Sequence, residues 1–480
     1  MAEQWSWYLT EPWEPVSIRR GDALGFRAAS DYFADLLAPG LSNSTFDARW
    51  ISLLSWSLKW SQSAWQSAGN SDLSSREGQR ERYAWLRPLE LLWVARTLAS
   101  KKADQSSEIT GQLRGRRSIE RWREDHRPDF SMTREQQARY RQIGTYGGYR
   151  VVLRNMPGLT KGGDGWTLDD TGLKLARLVN ESLPPAARLS DERFERHTRW
   201  KHWSAGKHSE YWTKHGWADW NKSASRGLLP TANGDLRKKL TNTDERFLLA
   251  EALFDEESNR SLTAYVLAHA NGKTHSDLCD ALAGSSALEK KLSESHPAGS
   301  IKPLPAFSRL ADAAMDAMRV LWDKIKDDGE EPTPPIEKLA RSPDLKESLD
   351  RLRKESDIWL NLEGRNSFRF DNIVKHLAEA MHKAKTPVEQ IRALSMHHQK
   401  HGGGRNWFRE DAGIFVGLVA SNDVVSSNYR FRLNSLSLLA AQCGVARMND
   451  ALVAMAKEVN DEEKDYAIAA EADDAQEAAA

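Results

Sequence analysis

Cysteine is the scarcest residue in this chain of 480 residues, which contains only Cys279 and Cys443. Two cysteines so far apart cannot form the closely spaced sets that bind zinc, and such a low number is typical of a protein kept in the reducing cytoplasm. Long apolar runs are missing as well, so we expect no membrane-spanning segment. The first residues, MAEQWSWYLTEPWEP, lack the basic and apolar regions of a secretory signal. We therefore expect a cytoplasmic protein.

Motifs of common enzyme classes are also missing. The sequence has no G-x-x-x-x-G-K-[ST] loop, no G-x-S-x-G elbow and no H-E-x-x-H pair. The segment HHQKHGGGRNW contains an H-x-K pair, His398 and Lys400, as phospholipase-D-like phosphodiesterases do. However, Arg405 stands where those enzymes need an aspartate, and no second copy occurs. We interpret the segment as the basic end of a helix that is stopped by glycine.

Catalytic carboxylates are not marked by any local pattern. The segments NLEGRN around Glu363 and DERFERH around Glu195 can be matched to the acidic-x-Lys pattern of a restriction-type nuclease only by force, and neither lies in a strand pattern. We therefore predict no catalytic residue, no cofactor and no metal site. A nuclease whose carboxylates are dispersed along the sequence remains the alternative.

Helical periodicity dominates the chain. An apolar stripe at three-to-four spacing comprises Leu310, Ala314, Met318 and Leu321. A further helix is predicted to begin with Thr386 as N-cap, Pro387 at its first position and Glu389 completing a capping box, and to stop at Gly402. The predicted fold class is mainly α: a multi-domain helical protein with a central winged-helix-like module.

Breaks in the pattern predict five segments. They are 1–105, a tryptophan-rich helical domain; 106–185, the winged-helix-like module; 186–330, a helical middle domain; 336–458, a helical C-terminal domain; and 459–480, an acidic tail.

Charge is distributed unevenly although the net charge is zero. Residues 101–240 contain 28 Lys and Arg against 17 Asp and Glu, whereas the last twenty residues contain eight acids and one lysine. A basic centre with an acidic tail is typical of proteins that bind nucleic acid, although helical proteins without such a partner also have uneven charge.

The stretch HTRWKHWSAGKHSEYWTKHGWADWNK, residues 197–222, alternates tryptophan with positive charge. Its histidines are five to seven residues apart, which does not suit a metal site on a helix. The tryptophans suit a helical core. They also suit a base-stacking surface, on which Lys201 and Lys207 would contact phosphates.

Residues 133–180 resemble a winged helix-turn-helix. Two helices are followed by Gly158-Leu159, a short loop TKGGDG, and TLDDTG at the start of a last helix. The resemblance implies duplex DNA binding, with Arg150 and Arg154 on one face of a helix and Lys161 on the wing. Winged helices also serve as protein-interaction modules. The predicted DNA-binding residues are Arg114, Arg116, Arg117, Arg121, Tyr146, Tyr149, Arg150, Arg154, Lys161, Lys201 and Lys207.

Three short segments extend the resemblance to a protein group. They contain Pro39, Gly40, Ser42 and Arg49, then YGGYRVVLRNMPGL, and finally Arg405, Trp407, Arg432 and Leu436. The chain resembles uncharacterised bacterial defence-island proteins of anti-phage systems, which are encoded beside ATPases, helicases, nucleases or modification enzymes. This resemblance implies antiviral defence and does not imply a reaction. Together with the basic centre and the winged-helix pattern, it predicts a non-catalytic DNA-binding or scaffolding subunit of such a system. The alternatives are a nuclease effector, or a protein-interaction subunit that does not contact DNA.

Overall fold

The computed structural model describes residues 22–43, 45–67, 72–99, 144–183, 188, 242–272, 274–296, 300–326, 334–402, 406–417, 429–449 and 452. These residues form two compact units, each assembled from segments distant in sequence. The described part of unit 1 falls within Met1–Phe33 and Ala298–Tyr429, and that of unit 2 within Ala34–Pro297 and Arg430–Glu462. The predicted boundaries near residues 105, 185, 330 and 458 lie outside the described residues and stay predictions.

The described residues are mainly α-helical, which confirms the predicted fold class. The helices are α1 (Arg27–Leu37), α2 (Arg49–Ser67), α3 (Arg76–Ala99), α4 (Thr145–Asn155), α5 (Asp170–Ser182), α6 (Thr243–Leu253), α7 (Arg260–His269), α8 (His275–Ala283), α9 (Ser286–Ser295), α10 (Leu304–Lys326), α11 (Ile336–Leu339), α12 (Pro343–Leu360), α13 (Asp371–Lys383), α14 (Pro387–His401) and α15 (Leu433–Cys443). Short 3-10 turns span Lys161–Gly163 and Arg365–Ser367, and two strands are β1 (Phe408–Asp411) and β2 (Ile414–Gly417). None of the helices that the structure describes combines the length and apolar character needed to cross a membrane.

Unit 1 is built on helices that pack in chain order, α10 on α12, α12 on α13 and α13 on α14. The predicted stripe of α10 is buried from Leu310 to Leu321. Aromatic rings fill the core beside it: Phe33 stacks on Phe368 with centroids 5.0 Å apart. The buried indole of Trp359 donates to Asp371 Oδ1 at 3.1 Å, which joins the end of α12 to the start of α13.

Helix α14 begins as its sequence predicts. The hydroxyl of Thr386 accepts from the Glu389 backbone, and the Glu389 carboxylate accepts in return from the Thr386 N–H at 3.0 Å. The helix ends at His401, directly before Gly402. Downstream, β1 and β2 form an antiparallel hairpin whose two loop residues, Ala412 and Gly413, both have positive φ, as a tight two-residue turn requires.

Unit 2 has a core rich in tryptophan. Trp50, Trp56, Trp85 and Trp93 are fully buried. The rings of Trp56 and Trp93 meet edge to face at 5.8 Å, and Trp56 Nε1 donates to Asn180 of α5 at 3.2 Å. The tryptophans of α2 therefore pack the core. The stretch 197–222 lies outside the described residues, so its interpretation remains open.

Candidate nucleic-acid interface

Helix α4, which carries two of the predicted DNA-binding arginines, is capped by a side chain from another helix. Its own N-cap residue, Gly144, provides no side-chain hydrogen bond. Instead, Glu90 of α3 accepts from the Tyr146 N–H at 2.7 Å, and the Tyr83 hydroxyl donates to the same carboxylate at 3.1 Å. A carboxylate is favourable there because unpaired N–H groups make a helix N-terminus positive. Burial raises the pKa of Glu90 to about 7, and the hydrogen bonds from Tyr146 and Tyr83 oppose that rise only in part.

The two tyrosines of α4 are buried, which corrects the prediction that they contact DNA. Tyr146 donates from its hydroxyl to the Gly165 carbonyl at 2.9 Å, and its ring lies 4.6 Å from that of Trp166. The Tyr149 hydroxyl accepts from the Asp47 N–H at 2.8 Å. Both rings are enclosed by the protein, so neither can stack on a base. They fix the orientation of α4 instead.

Arg150 and Arg154 share one face of α4, as their i, i+4 spacing predicts. Gly165 lies against this face. A Cβ added at Gly165 would be 2.8 Å from Arg154 Cγ and 3.6 Å from Arg150 Cγ. The half-buried Arg150 donates to Gln79 Oε1 at 2.9 Å and lies over the Trp166 ring at 5.6 Å. Arg154 is exposed and donates from Nε to the Gly163 carbonyl at 3.1 Å. Arg154 is thus the more accessible of the two.

The loop between α4 and α5 occupies the position of the predicted wing. A single antiparallel bridge, Thr160 to Leu168, closes it. The Thr160 hydroxyl donates to the Leu153 carbonyl at 2.7 Å and accepts from the Gly165 N–H at 3.1 Å, which ties the loop to α4. Lys161 follows the bridge and is exposed. At the position of the predicted wing the structure therefore has a compact loop, which presents Lys161 beside α4.

Arg154 and Lys161 form a corner of unit 2, and the structure describes no ion pair that neutralises their charges. The ion pairs of the described residues include neither Arg150, Arg154 nor Lys161. The carboxylate of Asp164 accepts from the Trp166 and Thr167 N–H groups, so it is engaged within the loop. Residues 144–183 contain five basic and four acidic side chains, so a phosphate would respond to local arrangement more than to net charge.

The remaining predicted DNA-binding residues lie outside the described residues. They are Arg114, Arg116, Arg117, Arg121, Lys201 and Lys207. The helix predicted upstream of α4 falls in the same gap, between 99 and 144. The assignment of a winged helix therefore stays a prediction.

No known protein family, curated protein or solved structure matches this chain.

The H-x-K pair of α14 does not form a catalytic site. His398 is fully buried, with Nδ1 donating to the Ala23 carbonyl at 2.7 Å and Nε2 accepting from the Trp407 N–H at 2.9 Å. Both ring nitrogens are thus occupied by backbone groups, and burial lowers the pKa of the ring. His398 joins chain segments and has no free nitrogen to attack a phosphate.

Sequence reasoning overlooked a group of histidines that the fold of unit 1 assembles. His376 on α13 meets His397 and His401 on α14. The i, i+4 spacing of His397 and His401 is the spacing that helical metal ligands use. The third member is on the preceding helix, so only tertiary structure brings it into the group.

Proposed function

We propose that this chain is a non-catalytic, cytoplasmic DNA-binding or scaffolding subunit of a bacterial anti-phage defence system, with duplex DNA as its partner. The observation that carries the proposal is the corner formed by Arg154 and Lys161. Both side chains are exposed, and glycines, Thr160 and Tyr146 hold the backbone that presents them. The resemblance to defence-island proteins supplies the biological context and the expected partners, an ATPase, helicase, nuclease or modification enzyme.

The contacts expected at this corner are to phosphates. Arg154 and Lys161 are cations that form no ion pair with the acids that the structure describes, and cations that displace condensed counterions give salt-sensitive affinity. Arg150 is held by Gln79 and Trp166, so it supports the surface and contributes less to base recognition. We therefore expect binding with weak sequence preference.

Fluorescence anisotropy with a labelled duplex tests the proposal. The double substitution Arg154→Glu, Lys161→Glu should weaken binding at least about tenfold at about 50 mM salt, because repulsion replaces two phosphate contacts. The double substitution Arg341→Glu, Lys346→Glu changes the net charge equally at two exposed residues of unit 1, of which Lys346 lies on α12. This matched control should bind like the parent. Absence of binding, or equal loss in the control, overturns the proposal.

The same protein distinguishes the alternatives. Cleavage of the duplex with Mg²⁺ that is lost on changing one carboxylate would establish a nuclease. Co-purification with a neighbouring gene's product, without affinity for DNA, would establish a protein-interaction subunit.

A further inference from the structure

Three imidazoles converge in unit 1, apart from the corner proposed to bind DNA. One ring nitrogen from each of His376, His397 and His401 lies within 4.8 Å of the other two. The ring centroids of His397 and His401 are 4.7 Å apart, and His376 lies 5.8 Å and 5.5 Å from them. His397 is fully buried, His401 half-buried and His376 exposed. The group therefore extends from the core to the surface.

The buried member is already oriented as a ligand. His397 Nε2 donates to the Leu24 carbonyl at 2.9 Å, which places the proton on that nitrogen and the lone pair on Nδ1. A metal-bound histidine ordinarily makes this second hydrogen bond, since it fixes the ring and its tautomer. Burial also lowers the pKa of His397 to about 3.

Two of the ring nitrogens in this group are unpaired within the part of the chain that the structure describes. His397 Nδ1 and His401 Nε2 are both buried, and neither has a hydrogen-bond partner there. Leaving a polar atom buried and unpaired is costly, so such atoms commonly mark an ion or a water. Two of them in one three-histidine group point to a shared ligand.

We propose that His376, His397 and His401 bind a divalent transition metal of the zinc class, with one coordination position left for water or another ligand. Imidazole nitrogens suit zinc, copper and nickel, whereas Mg²⁺ and Ca²⁺ take oxygen ligands. Tetrahedral zinc with bonds of about 2.0–2.1 Å needs nitrogens about 3.4 Å apart, so the three nitrogens, now within 4.8 Å of one another, must approach by at most about 1.4 Å.

Asp22 is an acid whose charge acts on His401, and other groups hold its carboxylate. The Asp22 carboxylate accepts from the Phe26 N–H at 3.0 Å and the Arg27 N–H at 2.8 Å, at the start of α1. It also accepts from the Tyr429 hydroxyl at 2.9 Å. The group of convergent donor atoms consists of the three histidines, so the proposed site has three protein ligands, the number found in zinc sites with an open position.

Gly25 allows the backbone to approach this site closely. It has a φ of +71°, and a Cβ added there would lie 2.8 Å from His401 Cβ. The close approach keeps the 22–26 turn, which includes the Leu24 carbonyl, against the end of α14.

Metal content and spectroscopy test the site. The full chain, purified without a polyhistidine tag, is loaded with zinc, desalted and measured by mass spectrometry. His376→Gln and His401→Gln should each weaken zinc binding at least about tenfold, since even the loss of an outer hydrogen bond to a ligand costs about that much. Lys400→Met should strengthen it, because the Lys400 ammonium lies 3.4 Å from His376 Nε2 and repels a cation.

Two controls separate this site from other histidines. His382 lies on the same helix as His376, and its Nδ1 is 2.6 Å from Asp357 Oδ1. His382→Gln should therefore retain the zinc affinity of the parent. His208→Gln, in the stretch 197–222, should do the same. Unchanged zinc affinity in His376→Gln and His401→Gln overturns the proposal.

Cobalt gives a measurement that needs no variant. Co²⁺ in a tetrahedral site absorbs visible light far more strongly than hydrated Co²⁺ does. The parent protein should therefore develop intense visible bands on addition of one equivalent, and zinc should abolish them. A weak spectrum like that of the free ion overturns the proposal even if the variants fail to fold. Neither readout depends on DNA binding.

Discussion

The carboxylate of Glu90 on α3 caps the N-terminus of α4 by accepting from the Tyr146 N–H at 2.7 Å. The capped helix carries Arg150 and Arg154, so a buried acid helps to hold the face that we propose contacts DNA. The cap also makes the stability of unit 2 depend on pH, because burial of Glu90 shifts the pKa of its carboxyl group.

Glu90→Gln should remove that dependence. The pKa of Glu90 is raised from its usual 4.5 to about 7 in the folded protein. Its contribution to stability is thus full below about pH 4.5 and is lost as pH rises through 7. As pH rises from 4.5 to above 7, the free energy of unfolding of Glu90→Gln should therefore increase by about 3 kcal/mol relative to that of the parent. Unfolding both proteins at pH 4.5, 6 and 8 measures it, and a difference that does not change with pH contradicts the assignment.

Gly165→Ala should destabilise the corner more than Gly162→Ala does. Both glycines have positive φ, so both substitutions carry a backbone cost of about 1–2 kcal/mol. At Gly165 the new Cβ would also lie 2.8 Å from Arg154 Cγ, whereas at Gly162 it meets nothing within 4 Å. We expect a further loss of about 1–3 kcal/mol at Gly165. Thermal unfolding of the pair isolates the contact, and equal melting temperatures would show that the arginine adjusts freely.

Lys161→Ala should change the salt dependence of DNA binding. If this lysine contacts one phosphate, the slope of log affinity against log salt should become shallower by about 1. Anisotropy titrations at four salt concentrations give the slope, with Lys346→Ala as the control of equal charge. A parallel displacement without a change in slope would mean that Lys161 acts through the loop's structure and makes no phosphate contact.

Local signals in the sequence predicted the helices well. The capping box of Thr386 and Glu389 and the glycine after His401 set the bounds of α14, because these signals act within one turn of the chain. The stripe through Leu310 and Leu321 likewise defines the buried face of α10. Both depend only on neighbouring residues.

The candidate sites were predicted less completely because they depend on contacts between distant segments. Tyr149 is buried, and its hydroxyl accepts from the Asp47 N–H, which belongs to a segment about a hundred residues earlier. The periodicity of α4 alone cannot predict such a contact. The same holds for His376, which meets His397 only when α13 packs on α14. The spacing of Arg150 and Arg154 was informative, since one helix determines it.

Burial, more than distance, should decide which ion pairs stabilise the protein. Arg49 and Glu245 approach to 3.8 Å within unit 2 with side chains 9% and 4% exposed. Arg351 and Asp316 in unit 1 are closer, at 2.8 Å, but 55% and 41% exposed. Arg49→Met leaves a buried carboxylate unpaired and should cost about 3–5 kcal/mol. Arg351→Met should cost less than about 1 kcal/mol because solvent screens the pair.

The double substitution Arg49→Met, Glu245→Leu distinguishes the attraction between the two charges from the cost of leaving the buried Glu245 carboxylate unpaired. Removing both charges avoids the unpaired carboxylate, so most of the stability lost in Arg49→Met should return. Denaturant unfolding of the single and double variants measures the recovery. A double variant as unstable as Arg49→Met would mean instead that lost contacts of the arginine side chain in α2, and not the unpaired carboxylate, cause the loss of stability.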